Sequence, residues 1–144
     1  TLNDFGWIWS AYKSVFQPRL QQQVTATPIQ VKCVALDEYF TAQKILPAFV
    51  KIDAESAELE ILKGMVQTLR TYQPVVSVEV GDFDLPNVPK NRELIEFVMA
   101  CGYTPVGYTK GQFVSHQLSD KYGYDNIIFI TERLTEHFRM MFHP

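Results

Sequence analysis

Four acids, Asp53, Glu55, Glu58 and Glu60, fall within eight residues directly after the apolar run that begins at Phe49. A fifth, Glu79, closes a second apolar run, Val75 to Val80. Carboxylates placed this way can take a proton from a hydroxyl as a general base or orient a polar ligand. Asp53-x-Glu55 with Asp82 or Asp84 could also hold a hard cation such as Mg²⁺. Acidic pairs of this kind are common, and no metal site is assigned. The same acids have a structural use, because unpaired N–H groups at a helix amino end favour negative charge. In that reading Ser56 is the N-cap, and Glu79 is a buried acid hydrogen-bonded to loop N–H groups. Glu58 is expected to be solvated or paired with Lys51.

The elements that must position these acids follow from the periodicity. Phe49, Val50 and Ile52 read as a short buried strand. From Ala57 the apolar positions Ile61, Leu62, Met65, Val66 and Leu69 change to helical spacing, with Glu60, Lys63, Gln67 and Arg70 on the wet face. Strand then helix is half of a βαβ unit, and open α/β sheets place ligands at the carboxyl ends of their strands. Pro74 opens the next strand, Val75 to Val80, with Glu79 at its end. Ile29 to Ala35 is expected to be a strand, and Leu36 to begin a short helix closed by Pro47. Asn91 can cap a helix whose face is Leu94, Ile95, Val98 and Met99, stopped by Gly102. Tyr103–Tyr108, Phe113–His116 and Asn126–Thr131 are further strands, and Glu132–Phe142 a terminal helix. Residues 1–28 read as a helix, with Ile8, Tyr12, Val15 and Phe16 on one face and Asp4 as its cap, plus a polar connector. Trp7 and Trp9 flank that face.

The run Val50-Lys51-Ile52-Asp53-Ala54-Glu55-Ser56-Ala57-Glu58, followed by Leu62-Lys63-Gly64, Pro74 and Glu79, resembles the core motif of the FkbM family of methyltransferases. The resemblance extends from about Val31 to Ile130. One position departs from it: Ser56 stands where the family usually has Gly, which would strain a turn needing positive φ. The resemblance implies a Rossmann-like class I methyltransferase sheet and an O-methyltransferase that uses S-adenosylmethionine (SAM). It makes Asp53, Glu55 and Glu79 catalytic candidates, with Glu55 the base. Asp53 and Ser56 would face the cofactor, and Glu58 and Asp82 the substrate. The acceptor would be a hydroxyl of a sugar, glycan or polyketide-like small molecule.

The composition fits one α/β domain over residues 1–144, with 47% hydrophobic residues and a net charge of −3. A mildly acidic chain without a basic run argues against a nucleic-acid backbone as partner. No apolar run is long enough to span a bilayer and no signal peptide opens the chain, so a cytoplasmic setting is expected. Cys33 and Cys101 show neither metal-site spacing nor disulfide density, and His116, His137 and His143 are expected at the surface. None of the seven glycines forms a G-x-G after a strand. The chain therefore reads as the carboxyl-terminal half of such a domain, without the strands that carry the main SAM contacts, and inactive alone. The Phe49–Asp53 strand would then need an N-terminal segment or second subunit to cover its edge. The competing expectation is a non-catalytic interaction module that kept the fold.

Overall fold

The computed structural model describes residues 2–4, 27–82 and 88–135. Its elements in chain order are β1 (Leu2–Asp4), β2 (Thr27–Ile29), α1 (Leu36–Gln43), β3 (Phe49–Ile52), α2 (Glu58–Lys63), α3 (Val66–Thr71), β4 (Val75–Val80), α4 (Asn91–Met99), β5 (Tyr103–Thr109), β6 (Gln112–Ser115) and β7 (Asp125–Thr131). β1 and β2 form a small antiparallel pair. The other five strands make one mixed sheet, ordered β3-β4-β7-β5-β6. β3 and β4 are parallel, and the remaining pairings are antiparallel.

Register sorts the side chains. Val50, Val76 and Phe129 lie opposite one another, as do Ile52, Val78 and Ile127. With a period of two, these six and Val80 share one face. That face packs on Leu59, Leu62, Met65 and Leu69 of the α2–α3 segment and on Leu94, Ile95 and Val98 of α4. The other face carries Phe49, Lys51, Ser77, Glu79, Asn126 and Ile128. β4 thus holds apolar side chains toward the helices and delivers Glu79 to the opposite side.

Several expectations need correction. The helix after the acids is two short helices. Gly64 ends α2: its N–H donates to the Glu60 and Ile61 carbonyls, and the Met65 N–H donates to the Leu62 carbonyl. α3 restarts because Asp37 of α1 accepts the Gln67 and Thr68 N–H groups, each at 2.8 Å, and the Thr68 hydroxyl at 2.6 Å. The Asp37 N–H in turn donates to the Gly64 carbonyl. A Cβ at Gly64 would lie 3.3 Å from the Ile61 oxygen of the preceding turn and in ordinary contact, 3.6 Å, with the Ala35 Cα that leads into α1. Leu59, Leu62, Met65, Thr68 and Leu69 are buried across the break, whereas Ile61 and Val66, expected on the inner face, are half-buried.

Residues 30–35 form no strand; β2 ends at Ile29, where the expected strand begins. Their β-branched content counts for little when no described strand pairs with them. Asp4 lies in β1 and caps no helix there. The rest of the expected amino-terminal helix, with Trp7 and Trp9, lies outside the described residues. Asn91 is the first residue of α4 and Lys90 its N-cap. Residues 132–135 are helical, and the remainder of the expected terminal helix, with His137 and His143, lies outside the described residues. His116 is half-buried rather than on the surface, stacked on Tyr122 with ring centroids 5.6 Å apart. Cys33 and Cys101 are free thiols. No helix among the described residues is long and apolar enough to cross a membrane.

Candidate active site

Parallel neighbours β3 and β4 end at the same edge of the sheet, which brings their terminal acids together. One carboxylate oxygen from each of Asp53, Glu55 and Glu79 lies within 4.8 Å of the others. Asp53 follows β3 and is exposed, paired with Lys51 at 3.5 Å. The Lys51 ammonium also donates to Asn126 Oδ1 at 2.6 Å, tying β3 to β7 across the sheet face. Glu79 is only 7% exposed, so it presents a desolvated carboxylate beside two wetter ones.

Glu55 reaches the group from a tight turn. The Ala57 N–H donates to the Ala54 carbonyl at 3.2 Å, and φ is +50° at Glu55 and +80° at Ser56. Two successive positive values inside such a turn are the pattern of type I′, which favours Asn-Gly and Gly-Gly. Ser56 occupies the position where glycine would carry no steric cost. It is therefore not the N-cap of α2; that residue is Ala57, with no side-chain cap. At φ +80° Ser56 belongs to the turn and not to the helix start.

Glu58 holds the turn. Its Oε1 accepts the Ala54 N–H at 2.8 Å and the Ser56 N–H at 3.3 Å. At 6% exposure it is neither solvated nor paired with Lys51. The sequence reading missed this because an acid at a helix start ordinarily faces water.

Asp82 does not join the acidic trio. Its Oδ1 accepts the Asn91 N–H at 2.9 Å and the Asn91 side-chain amide at 3.0 Å, and its Oδ2 accepts the Tyr122 N–H at 2.9 Å. Burial opposes its charge, but the Asn91 and Tyr122 donors outweigh that and hold the carboxyl below its ordinary range. Asp82 therefore caps α4 from a distance. It supplies no oxygen to an Asp53-x-Glu55 cation site, and Asp84 lies outside the described residues. The trio's third member is Glu79.

Sequence reasoning also missed Tyr124, an exposed phenol that the Glu79 carboxylate first, and then the charges of Asp53 and Glu55, push above its ordinary value. A crevice lined by Ser56, Glu58, Leu59, Glu79, Val80 and Asn91 adjoins the trio. It holds about 20 Å³, the room of roughly one water. Residues 83–87 lie outside the described residues.

Comparison with known proteins supplies the family. The model of the methyltransferase FkbM domain matches residues 5–105. The chain belongs to the FkbM methyltransferase domain family. That membership implies a methyltransferase and places the Asp53–Glu58 turn and Glu79 inside the matched region of the FkbM domain; Tyr124 lies beyond it. No curated protein and no solved structure matches the chain.

Proposed function

We propose that this FkbM domain forms the acid-lined part of a SAM-dependent O-methyltransferase site. The convergence of Asp53, Glu55 and Glu79 at the ends of two parallel strands carries the reading. The donor set suits the cofactor in part. SAM is cationic at its ammonium and sulfonium, and carboxylates at Asp53 and Glu55 would hold that charge. The turn N–H groups of Ala54 and Ser56 are engaged by Glu58, so they are not available to the cofactor's carboxylate, and Ser56 would act only through the shape of the turn.

When bound, SAM supplies an electrophilic methyl group for in-line displacement by a hydroxyl oxygen. The chain's own residues then have separable tasks. Glu55, lifted into the open by the turn, accepts the hydroxyl proton as the oxygen attacks. Glu79, buried and fixed, orients that hydroxyl. Asp53 holds positive charge near the acceptor, and Glu58 keeps the turn rigid. Asp82 serves the scaffold and Glu58 the turn, so neither is assigned to substrate.

Radiolabelled methyl transfer to sugar, glycan and macrolide-type alcohols in the full-length protein tests this. Glu55→Gln should lower kcat by about 10²–10⁴-fold with an unchanged melting temperature. An active Glu55→Gln variant would remove the proposed base. We further propose that cofactor binding draws on residues outside this chain, since no G-x-G follows any strand. Calorimetry on the 144-residue chain should then show no SAM binding; micromolar affinity would refute it. A full-length protein that neither binds SAM nor transfers methyl would instead be the interaction module, a reading the strained Ser56 favours.

A further inference from the structure

The sheet face that carries Glu79 continues past the acids to an exposed aromatic pair. One row across it is fixed by pairing: Ser77 lies opposite Ile128, and Ile128 opposite Val106. A step of two residues toward the carboxyl end of β4 leads to Glu79, with Asn126 opposite it on β7. The same step along β5 leads to Tyr108, with Phe113 opposite it on β6. Side chains two apart in a strand share a face. Glu79, Asn126, Tyr108 and Phe113 therefore stand on one face, at one end of the sheet.

Tyr108 is 58% exposed and Phe113 is half-buried. Their ring centroids lie 5.1 Å apart, with the planes at 59°. A cross-strand aromatic pair stabilises a hairpin, but more than half of Tyr108 remains open to a ligand. Toward the acids the surface turns polar. Asn126 is exposed, and its Oδ1 accepts the Lys51 ammonium at 2.6 Å, so its amide N–H groups can serve a ligand hydroxyl. Apolar surface flanked by a few hydrogen-bonding groups suits a small polar molecule. A sugar ring matches it, with a C–H face to lay on an aromatic ring and hydroxyls for amides and carboxylates. A macrolide's apolar ring would instead bury Asn126 and Lys51 against nothing polar. Strands lie about 4.8 Å apart, which puts Tyr108 about 10 Å and Phe113 about 14 Å across the sheet from Glu79. One sugar ring is too short to touch Tyr108 and present a hydroxyl to Glu55 and Glu79; linked rings are long enough.

We propose that Tyr108 and Phe113 form a subsite for a distal ring of a glycan acceptor, whose reacting ring lies at Asp53, Glu55 and Glu79. The subsite deepens the methyltransferase reading above and rests on it. It binds and does not react. Contact there is the same before and during methyl transfer, so it acts on KM and not on kcat. Both aromatic residues lie past residues 5–105, the matched family region, so family membership does not assign them.

The first arm of the test needs no catalysis. Saturation-transfer NMR on the 144-residue chain with maltotriose, mannotriose and chitotriose should show transfer to the ring C–H protons of at least one. Tyr108→Ala should abolish that transfer and Tyr108→Phe, which keeps the ring, should retain it. No transfer with any of the three, or transfer that survives Tyr108→Ala, overturns the subsite and leaves the methyltransferase reading untouched. The second arm uses the full-length protein, SAM, and each trisaccharide beside the methyl glycoside of its single ring. The trisaccharide should be preferred by about tenfold or more in kcat/KM, through KM, and Tyr108→Ala should erase the preference. Equal use of the two acceptors, or an equal loss on both in Tyr108→Ala, overturns the subsite alone. So does methyl transfer confined to macrolide-type alcohols. No methyl transfer to any alcohol overturns the reading and the subsite together.

Discussion

Glu58 Oε1 accepts the Ala54 N–H at 2.8 Å, so a helix's first acid reaches back and fastens the turn that precedes it. The same oxygen takes the Ser56 N–H at 3.3 Å. Hydrogen bonds to a charged acceptor contribute about 1.5–3 kcal/mol each when buried. Glu58→Ala should therefore destabilise the domain by about 2 kcal/mol, and Glu58→Gln by less. Urea unfolding of both variants checks this; equal, negligible losses would show that the turn holds itself.

Ser56→Gly should stabilise the protein. At φ +80° a serine is in a region that glycine enters freely. Relief of that strain should outweigh the added freedom of the unfolded chain, for a net gain of about 0.5–1 kcal/mol. In a domain of this size that is a rise of roughly 2–4 °C in Tm. A fall in Tm would mean that the serine side chain contributes more than its backbone costs.

Stability should depend on pH through Asp82. Its carboxyl is held below the ordinary value of 3.8, so the folded state favours the charged form. That contribution is fully present above the ordinary value and is lost as pH falls through the lower folded one. Asp82→Asn should cost about 1 kcal/mol at neutral pH, as loss of a helix cap does. The gap between wild type and variant should close below about pH 4. Urea melts from pH 7 to pH 3 measure it, and a gap that persists into acid would contradict the assignment.

Core truncations should distinguish the two helical faces. Leu62 is fully buried among the residues that line the sheet, so Leu62→Ala should cost about 2–5 kcal/mol. Val66, at the start of α3, is half-buried, and Val66→Ala should cost about 1 kcal/mol or less. Similar losses at both positions would contradict that difference in burial.

How much of this was legible in the sequence depended on whether a neighbour far along the chain was needed. β4 is bounded as Pro74, the valines and Glu79 indicate, because a short, nearly apolar run opened by a proline reports a buried strand directly. The meeting of Asp53 with Glu79 was legible too, since parallel neighbours end at one edge. The helix break at Gly64 was not, because Asp37, some thirty residues earlier, supplies the caps that let α3 restart. Nor was the burial of Glu58, whose partners are main-chain groups with no residue signature. Asn126 was invisible as a site neighbour for a similar reason: only the β4–β7 register sets it opposite Glu79. The absent strand at 30–35 shows the converse, that β-branched residues without a pairing partner do not make one.

The sheet order has one further consequence. β7 is the last described strand along the chain, yet in space it lies between β4 and β5. During synthesis, β3 and β4 can pair early, but β5 and β6 have no place beside them until β7 emerges to bridge the halves. The nascent chain must hold two open strand edges apart until about residue 131 clears the ribosome. Only then does Glu79 gain Asn126 opposite it. Shortening the carboxyl end into β7 would therefore split the sheet in two and leave the half that holds the acids with a newly exposed edge.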